Sequence, residues 1–137
     1  MGYRHLLAVV ACLLLVAGCG SRHMGTYRAE AHLIPGREES TEPGYTLADI
    51  QAKLRDKPRV LTLQAGGRFT YNTGTALNEG NWRTEGDTLY LREDINNGIR
   101  IQGALQKDRV WRLGGHGEII DPGAYSHYGV EVVFRRQ

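Results

Sequence analysis

The densest gathering of reactive side chains lies in the stretch 114–128, which holds His116, Glu118, Asp121, Tyr125, Ser126, His127 and Tyr128. Two imidazoles and a carboxylate make a zinc or copper donor set, so His116, Asp121 and His127 are the candidate metal ligands. Spacing argues against that use. His116 and His127 stand eleven positions apart, a separation that neither a helix nor a strand turns into proximity, and the expectation is a solvated or rim-lining loop. Gly114, Gly115 and Gly117 suggest a phosphate cradle, but such a loop joins a strand to a helix, and no helix is expected after it. Ser126 lies beside His127 without the strand-to-helix elbow that exposes a nucleophilic serine. The acid pairs Glu38-Glu39 and Glu93-Asp94 fall in expected loops, where charges are solvated. Glycosidase chemistry needs two carboxyls opposed across a cleft about 5 to 9.5 Å wide, which adjacency in sequence does not provide. No catalytic residue and no cofactor is expected.

Aromatic side chains offer a second kind of site. Tyr71, Trp82 and Trp111 are candidates for lining a ligand cavity, since apolar ligands favour aromatic walls, although in a small domain such residues more often form the core. Arg109 falls on the same alternation phase as Trp111 and Leu113. An inward arginine needs an anionic partner, so the expectation is that the phase slips at the preceding turn and Arg109 is exposed.

The front of the chain sets the compartment. Arg4 is followed by an unbroken apolar run from Leu6 to Val16, the layout of a secretory signal. Crossing a hydrocarbon core takes about 20 apolar residues, so this run is too short to span. The residues Leu15-Val16-Ala17-Gly18-Cys19 resemble the bacterial lipobox, with Val16 in place of the more usual leucine. That resemblance implies cleavage between Gly18 and Cys19, removal of residues 1–18, and diacylglycerol and fatty acyl chains on Cys19. Two or more chains hold a protein stably on a membrane without any spanning helix. Gly20 after the cysteine implies, by the same resemblance, the outer membrane facing the periplasm if the source has two membranes. Cys12 leaves with the signal and Cys19 carries lipid, so the remaining domain has no thiol for a disulfide, a metal or a nucleophile.

With the signal removed, sixteen basic side chains face fifteen acidic ones, scattered along the chain. That balance gives no electrostatic footprint for nucleic acid. Residues 19–25 read as a lipidated tether and 26–137 as one domain of ordinary size.

Within that domain the apolar period is two almost everywhere. Tyr27, Ala29, Ala31 and Leu33 alternate with polar neighbours in a first strand over 26–33, and 35–44 is polar, breaker-rich and expected to be a mobile surface loop. Thr46 caps the one expected helix, near residues 46–56, with Leu47, Ile50 and Leu54 on a single face and Pro58 beyond its end. Three hairpins follow: Leu61 and Leu63 with Phe69 and Tyr71; Trp82 with Leu89 and Leu91; and a strand through Ile99, Ile101 and Leu105 returning through Trp111 and Leu113. A last strand carries Val130, Val132 and Phe134. The count is about eight, the number at which an up-and-down sheet closes on itself.

The segment 61–91 resembles the hairpins of lipocalin-like domains in small bacterial envelope lipoproteins: L-x-L-x-x-G-G-x-F-x-Y, a variable turn, then G-x-W-x-x-x-G-D-x-L-x-L. Gly25-Thr26-Tyr27 stands where true lipocalins carry glycine-x-tryptophan. The expectation is an all-β antiparallel meander, an eight-stranded lipocalin-like barrel or half-barrel. Its expected role is that of a non-catalytic module, membrane-anchored in the cell envelope, binding a small apolar ligand or a protein partner. A structural or assembly accessory of an envelope complex is the alternative, and a metal-dependent enzyme a more distant one.

Overall fold

A computed structural model describes residues 22–137; the expected signal segment and Cys19 lie outside them. Nine strands form one sheet: β1 (Gly25–Leu33), β2 (Val60–Leu63), β3 (Arg68–Asn72), β4 (Leu77–Glu85), β5 (Thr88–Asn96), β6 (Ile99–Arg100), β7 (Asp108–Leu113), β8 (Ile119–Tyr125) and β9 (Val130–Arg136). All pairings are antiparallel. Each strand pairs with the next in sequence except that β5 pairs with β7 directly, and β9 returns to β1. Eight strands therefore close into an up-and-down barrel, an architecture compatible with a lipocalin-like fold, and the two-residue β6 hangs on β5 outside the ring.

The count of eight holds, but one member differs from expectation. Ile99 and Leu105 were expected on a barrel strand, yet they are 70% and 75% exposed, on an excursion between β5 and β7. The missing strand is β8, inside the stretch 114–128 that was expected to be one long loop. Its apolar signal is only Ile119-Ile120, cut short by Pro122 and Gly123, so no alternation betrays it. Glu93 and Asp94, expected in a loop, lie on β5 instead.

Alternation fills the interior. Tyr27, Leu61, Phe69, Leu89, Val132 and Phe134 point inward from five different strands and are all but inaccessible to solvent. Trp111 stacks on Phe134 with centroids 4.9 Å apart, and Tyr71 meets Trp111 edge-on at 5.3 Å, geometries that contribute about 0.5–1.5 kcal/mol per pair beyond simple burial. The barrel tightens at Gly80, where the β4–β5 register shifts; a Cβ there would collide with the Arg92 carbonyl.

One end is closed by a helix, α1 (Leu47–Asp56). Thr46 Oγ1 accepts from Asp49 N–H at 3.2 Å while Asp49 Oδ2 accepts from Thr46 N–H at 3.4 Å, a reciprocal cap that satisfies otherwise orphaned donors. The Thr46 bonds, its hydroxyl contact foremost, hold the Asp49 carboxyl below the usual aspartate range. The helix is needed because β2 reaches only as far as the partner of Arg28, leaving the rest of β1 without a strand on that side. Ala29 and Ala31 are small enough to let α1 approach, Ile50 and Leu54 enter the core, and Gln51 Nε2 donates to the Ala31 carbonyl at 3.3 Å. The loop before α1 is held at several points: Arg37 donates to the Ser126 carbonyl, Glu39 accepts from Leu47 N–H, and Tyr45 stacks on Tyr128 at 4.2 Å.

Candidate functional site: a parted seam between β7 and β8

The weakest closure of the ring lies between β7 and β8, whose register consists of two pairs, Arg112 with Ile120 and Leu113 with Ile119. Beyond these the strands separate. The cause is on β8: Asp121 faces Val132 and Tyr125 faces Val130, so Pro122, Gly123 and Ala124 oppose a single residue of β9 and are thrown outward. Asp121 Oδ1 accepts from Gly123 N–H at 3.0 Å and braces the excursion.

The direction of the unpaired backbone follows from two hydrogen bonds. Leu113 N–H donates to Asp87 O at 2.6 Å on the β5 side, and Gly114 N–H donates to Glu118 O at 2.8 Å on the β8 side. Peptide groups of successive strand residues alternate in direction. Val110 and Asp108 therefore turn their N–H and C=O toward β8, at residues for which the register offers no partner.

An open cleft of about 620 Å³ occupies the gap. Val110, 53% exposed, marks its β7 rim, with Tyr125 across from it on β8. Edges of the buried Tyr71 and Trp111 form the floor, and the guanidiniums of Arg59 and Arg109 face in from the sides. Arg59 donates to the Tyr125 hydroxyl at 3.3 Å and lies over the Tyr125 ring. Burial holds the Tyr71 phenol above its ordinary pKa, with the two arginines acting in the opposite direction, so Tyr71 presents a neutral hydroxyl.

Arg109 corrects the expectation that it would be exposed by a phase slip. It keeps the phase of Trp111, points inward, and finds the anionic partner that such a position requires: its Nε donates to Glu93 Oε1 at 2.5 Å. Glu93 is buried, and its carboxylate also accepts from Asn78 at 3.3 Å and Asn96 at 3.1 Å, while Asn78 Oδ1 accepts from Asn97 N–H. This network satisfies Glu93 at the mouth of the barrel and fixes the guanidinium through one nitrogen. Arg59 has no carboxylate within ion-pair distance among the described residues.

Of the candidate ligand-lining residues, Tyr71 and Trp111 meet at the cleft floor. Trp82 does not join them; it packs half-buried against the core and its Nε1 donates to the Gln64 carbonyl at 3.0 Å. The candidate metal ligands separate. His116 lies in the β7–β8 turn near Arg135 and Arg136, Asp121 in the cleft, and His127 in the 3-10 turn Ser126–Tyr128. No group of three His, Cys, Asp or Glu side chains comes together among the described residues. Sequence reasoning missed Arg59, and placed Tyr125 in an expected loop without assigning it to a site. Arg59 had a signal, since it precedes Leu61 and Leu63 on the same phase. Tyr125 had none, because β8 itself was illegible.

Comparison of the chain with protein-family models, with curated proteins and with solved structures finds no match.

Proposed function

We propose that this chain is a lipid-anchored envelope lipoprotein whose lipocalin-like barrel is a non-catalytic binding module, and that its partner is another envelope protein engaged at the β7–β8 cleft. The observation that carries the reading is the contrast between a barrel interior packed with side chains and a cleft open in the wall. Carriers of small apolar molecules enclose most of the ligand surface; this interior offers no such enclosure, whereas an open cleft bordered by free peptide groups suits a macromolecule. Lipid on Cys19 would orient the module. Gly25, Arg136 and the β7–β8 turn share one end of the barrel, so a tether entering at Arg22 sets that end toward the membrane. Val110 and Tyr125 lie toward the other end, beside the helix-capped mouth.

The packed interior also favours the alternative of a structural accessory that recognises nothing in a defined site. Site-specific photocrosslinking in the native envelope separates the two. A crosslinker at Val110 or Ala124 is expected to give a discrete adduct that one at Arg28, two strands beyond β8 in the ring, does not. Equal adducts from both positions would favour the accessory, and a displaceable small molecule in native mass spectra without any cleft adduct would return the apolar-ligand reading. Anchoring is tested separately: Cys19→Ser is expected to abolish the acyl mass and release the protein from membranes. A wild-type protein found mature and lipid-free in its native host would refute the anchoring.

A further inference from the structure

We infer that the cleft recognises its partner by strand addition: an extended peptide segment pairs with the free edge of β7 and turns an acidic side chain toward Arg59 and Arg109. The inference rests on the reading of the cleft as the binding site and specifies how that site works.

Three observations converge. The first is the peptide group of Val110, which has no partner in the β7–β8 register and lies on a strand whose other edge is fully paired with β5. A free strand edge is a template for another strand, and folded proteins usually cover or blunt it. Here α1 performs that service for the exposed half of β1 through Gln51, while among the described residues no helix or loop backbone bonds to Val110. The second is room. Strands pair about 4.8 Å apart, and the outward excursion of Pro122–Ala124 removes β8 from the position where the ladder would continue.

The third is chemistry matched to the pleat. A guest residue exchanging both backbone bonds with Val110 shares its face of the sheet and points outward. The guest residues on either side point inward, one opposite Arg109 and the other opposite Trp111. Opposite Arg109 the cleft presents two guanidiniums, one with a carboxylate partner behind it and one with none among the described residues. Opposite Trp111 it presents aromatic edges. The recognised segment is therefore an extended one with an acidic residue and an apolar residue two positions apart. Main-chain bonds supply affinity in this mode, and alternate side chains supply specificity. Asp121, also at the cleft, disfavours a second acidic side chain on the β8 flank.

The test uses the full chain in detergent micelles and a synthetic library of blocked octapeptides carrying an apolar-x-acid core in varied flanks, the order that antiparallel pairing with β7 requires. A selected peptide is expected to slow amide hydrogen exchange at Val110 at least tenfold. N-methylation of the peptide residue facing Val110 is expected to abolish binding, and replacing its acid by the amide, or Arg59→Gln in the protein, to weaken binding about tenfold. Binding indifferent to N-methylation would overturn strand addition. Absence of any binding peptide would do so too, as would self-association of two chains through their seams in place of peptide binding. If peptides fail while the Val110 crosslinker still yields its discrete adduct, strand addition falls and the cleft remains the partner site; if both fail, both readings go.

Discussion

Glu93 shows how one buried charge is made tolerable. Its side chain is about 10% exposed, and its carboxylate accepts from Arg109, Asn78 and Asn96. Removing one partner of a buried pair costs about 3–5 kcal/mol, because the survivor is left charged without compensation. Arg109 is 39% exposed and can turn to water, so a smaller loss of about 1–3 kcal/mol is expected for Glu93→Ala in urea unfolding. Arg109→Ala should cost more than Glu93→Ala, since it strands the more buried member; the reverse order would mean that Glu93 is hydrated in solution. Asp94, one residue on and facing outward, behaves differently. The Arg68 guanidinium, 2.6 Å away, holds its carboxyl below the ordinary aspartate value. A carboxyl lowered in the folded state contributes stability at neutral pH that disappears as pH falls from the unfolded value of about 3.9 through the folded one. Both side chains are partly exposed, so the contribution is under about 1 kcal/mol. Asp94→Asn is accordingly expected to flatten the stability profile below pH ~4 and to leave its slope between pH 6 and 8 unchanged, as read by thermal unfolding across pH.

At the scale of elements, the sharpest constraint is the bulge at Gly80, where β4 and β5 approach too closely for a side chain. Gly80→Ala must push the Arg92 peptide outward, and the expected loss is about 1–3 kcal/mol, typical of overpacking; a neutral result would show that this pair is looser than described. The same elements explain what was legible in sequence and what was not. β1, β2, β3 and β5 each have one face in the core and one in water, so Tyr27, Leu61, Phe69 and Leu91 wrote a clean period of two, and β9 kept it at Val130, Val132 and Phe134 although Val133 is covered too. Thr46 and Asp49 announced α1 because a cap is local chemistry. β8 stayed hidden for two physical reasons. Ile120 and Val133, cross-strand partners, are buried on the outer face, which erases alternation, and Pro122-Gly123 reads as a turn because it is one, set inside a strand. Ile99 and Leu105 misled in the opposite direction: apolar and suitably spaced, they lie in water because β5 already has β4 and β7 as neighbours. Arg109 was misplaced because its partner, Glu93, comes from another strand, and no local pattern reveals pairing across a sheet.

At the scale of the whole molecule, closure is uneven, and that unevenness is where fold and proposed function meet. β1 and β9 share seven register pairs and β4 and β5 eight, against two for β7 and β8. A ring yields at its shortest ladder, and partial opening costs less free energy where fewer buried contacts and hydrogen bonds are broken. Native-state hydrogen exchange is expected to rank the strands accordingly. Amides of β1, β4 and β9 should exchange only through global unfolding, with a denaturant dependence equal to the full unfolding slope. Arg112 and Gly114 should exchange through a smaller opening that parts β7 from β8 and leaves the remainder paired. Val110 and Asp108 should exchange fastest among the β7 amides even without opening, since their N–H groups face β8 at residues without a register partner. Trp111, which turns its peptide toward β5, should stay protected beside it, so that protection along β7 alternates residue by residue. Uniform protection from Asp108 to Leu113 would mean that β8 continues the ladder in solution, which would remove the free edge and with it the physical basis for a partner strand.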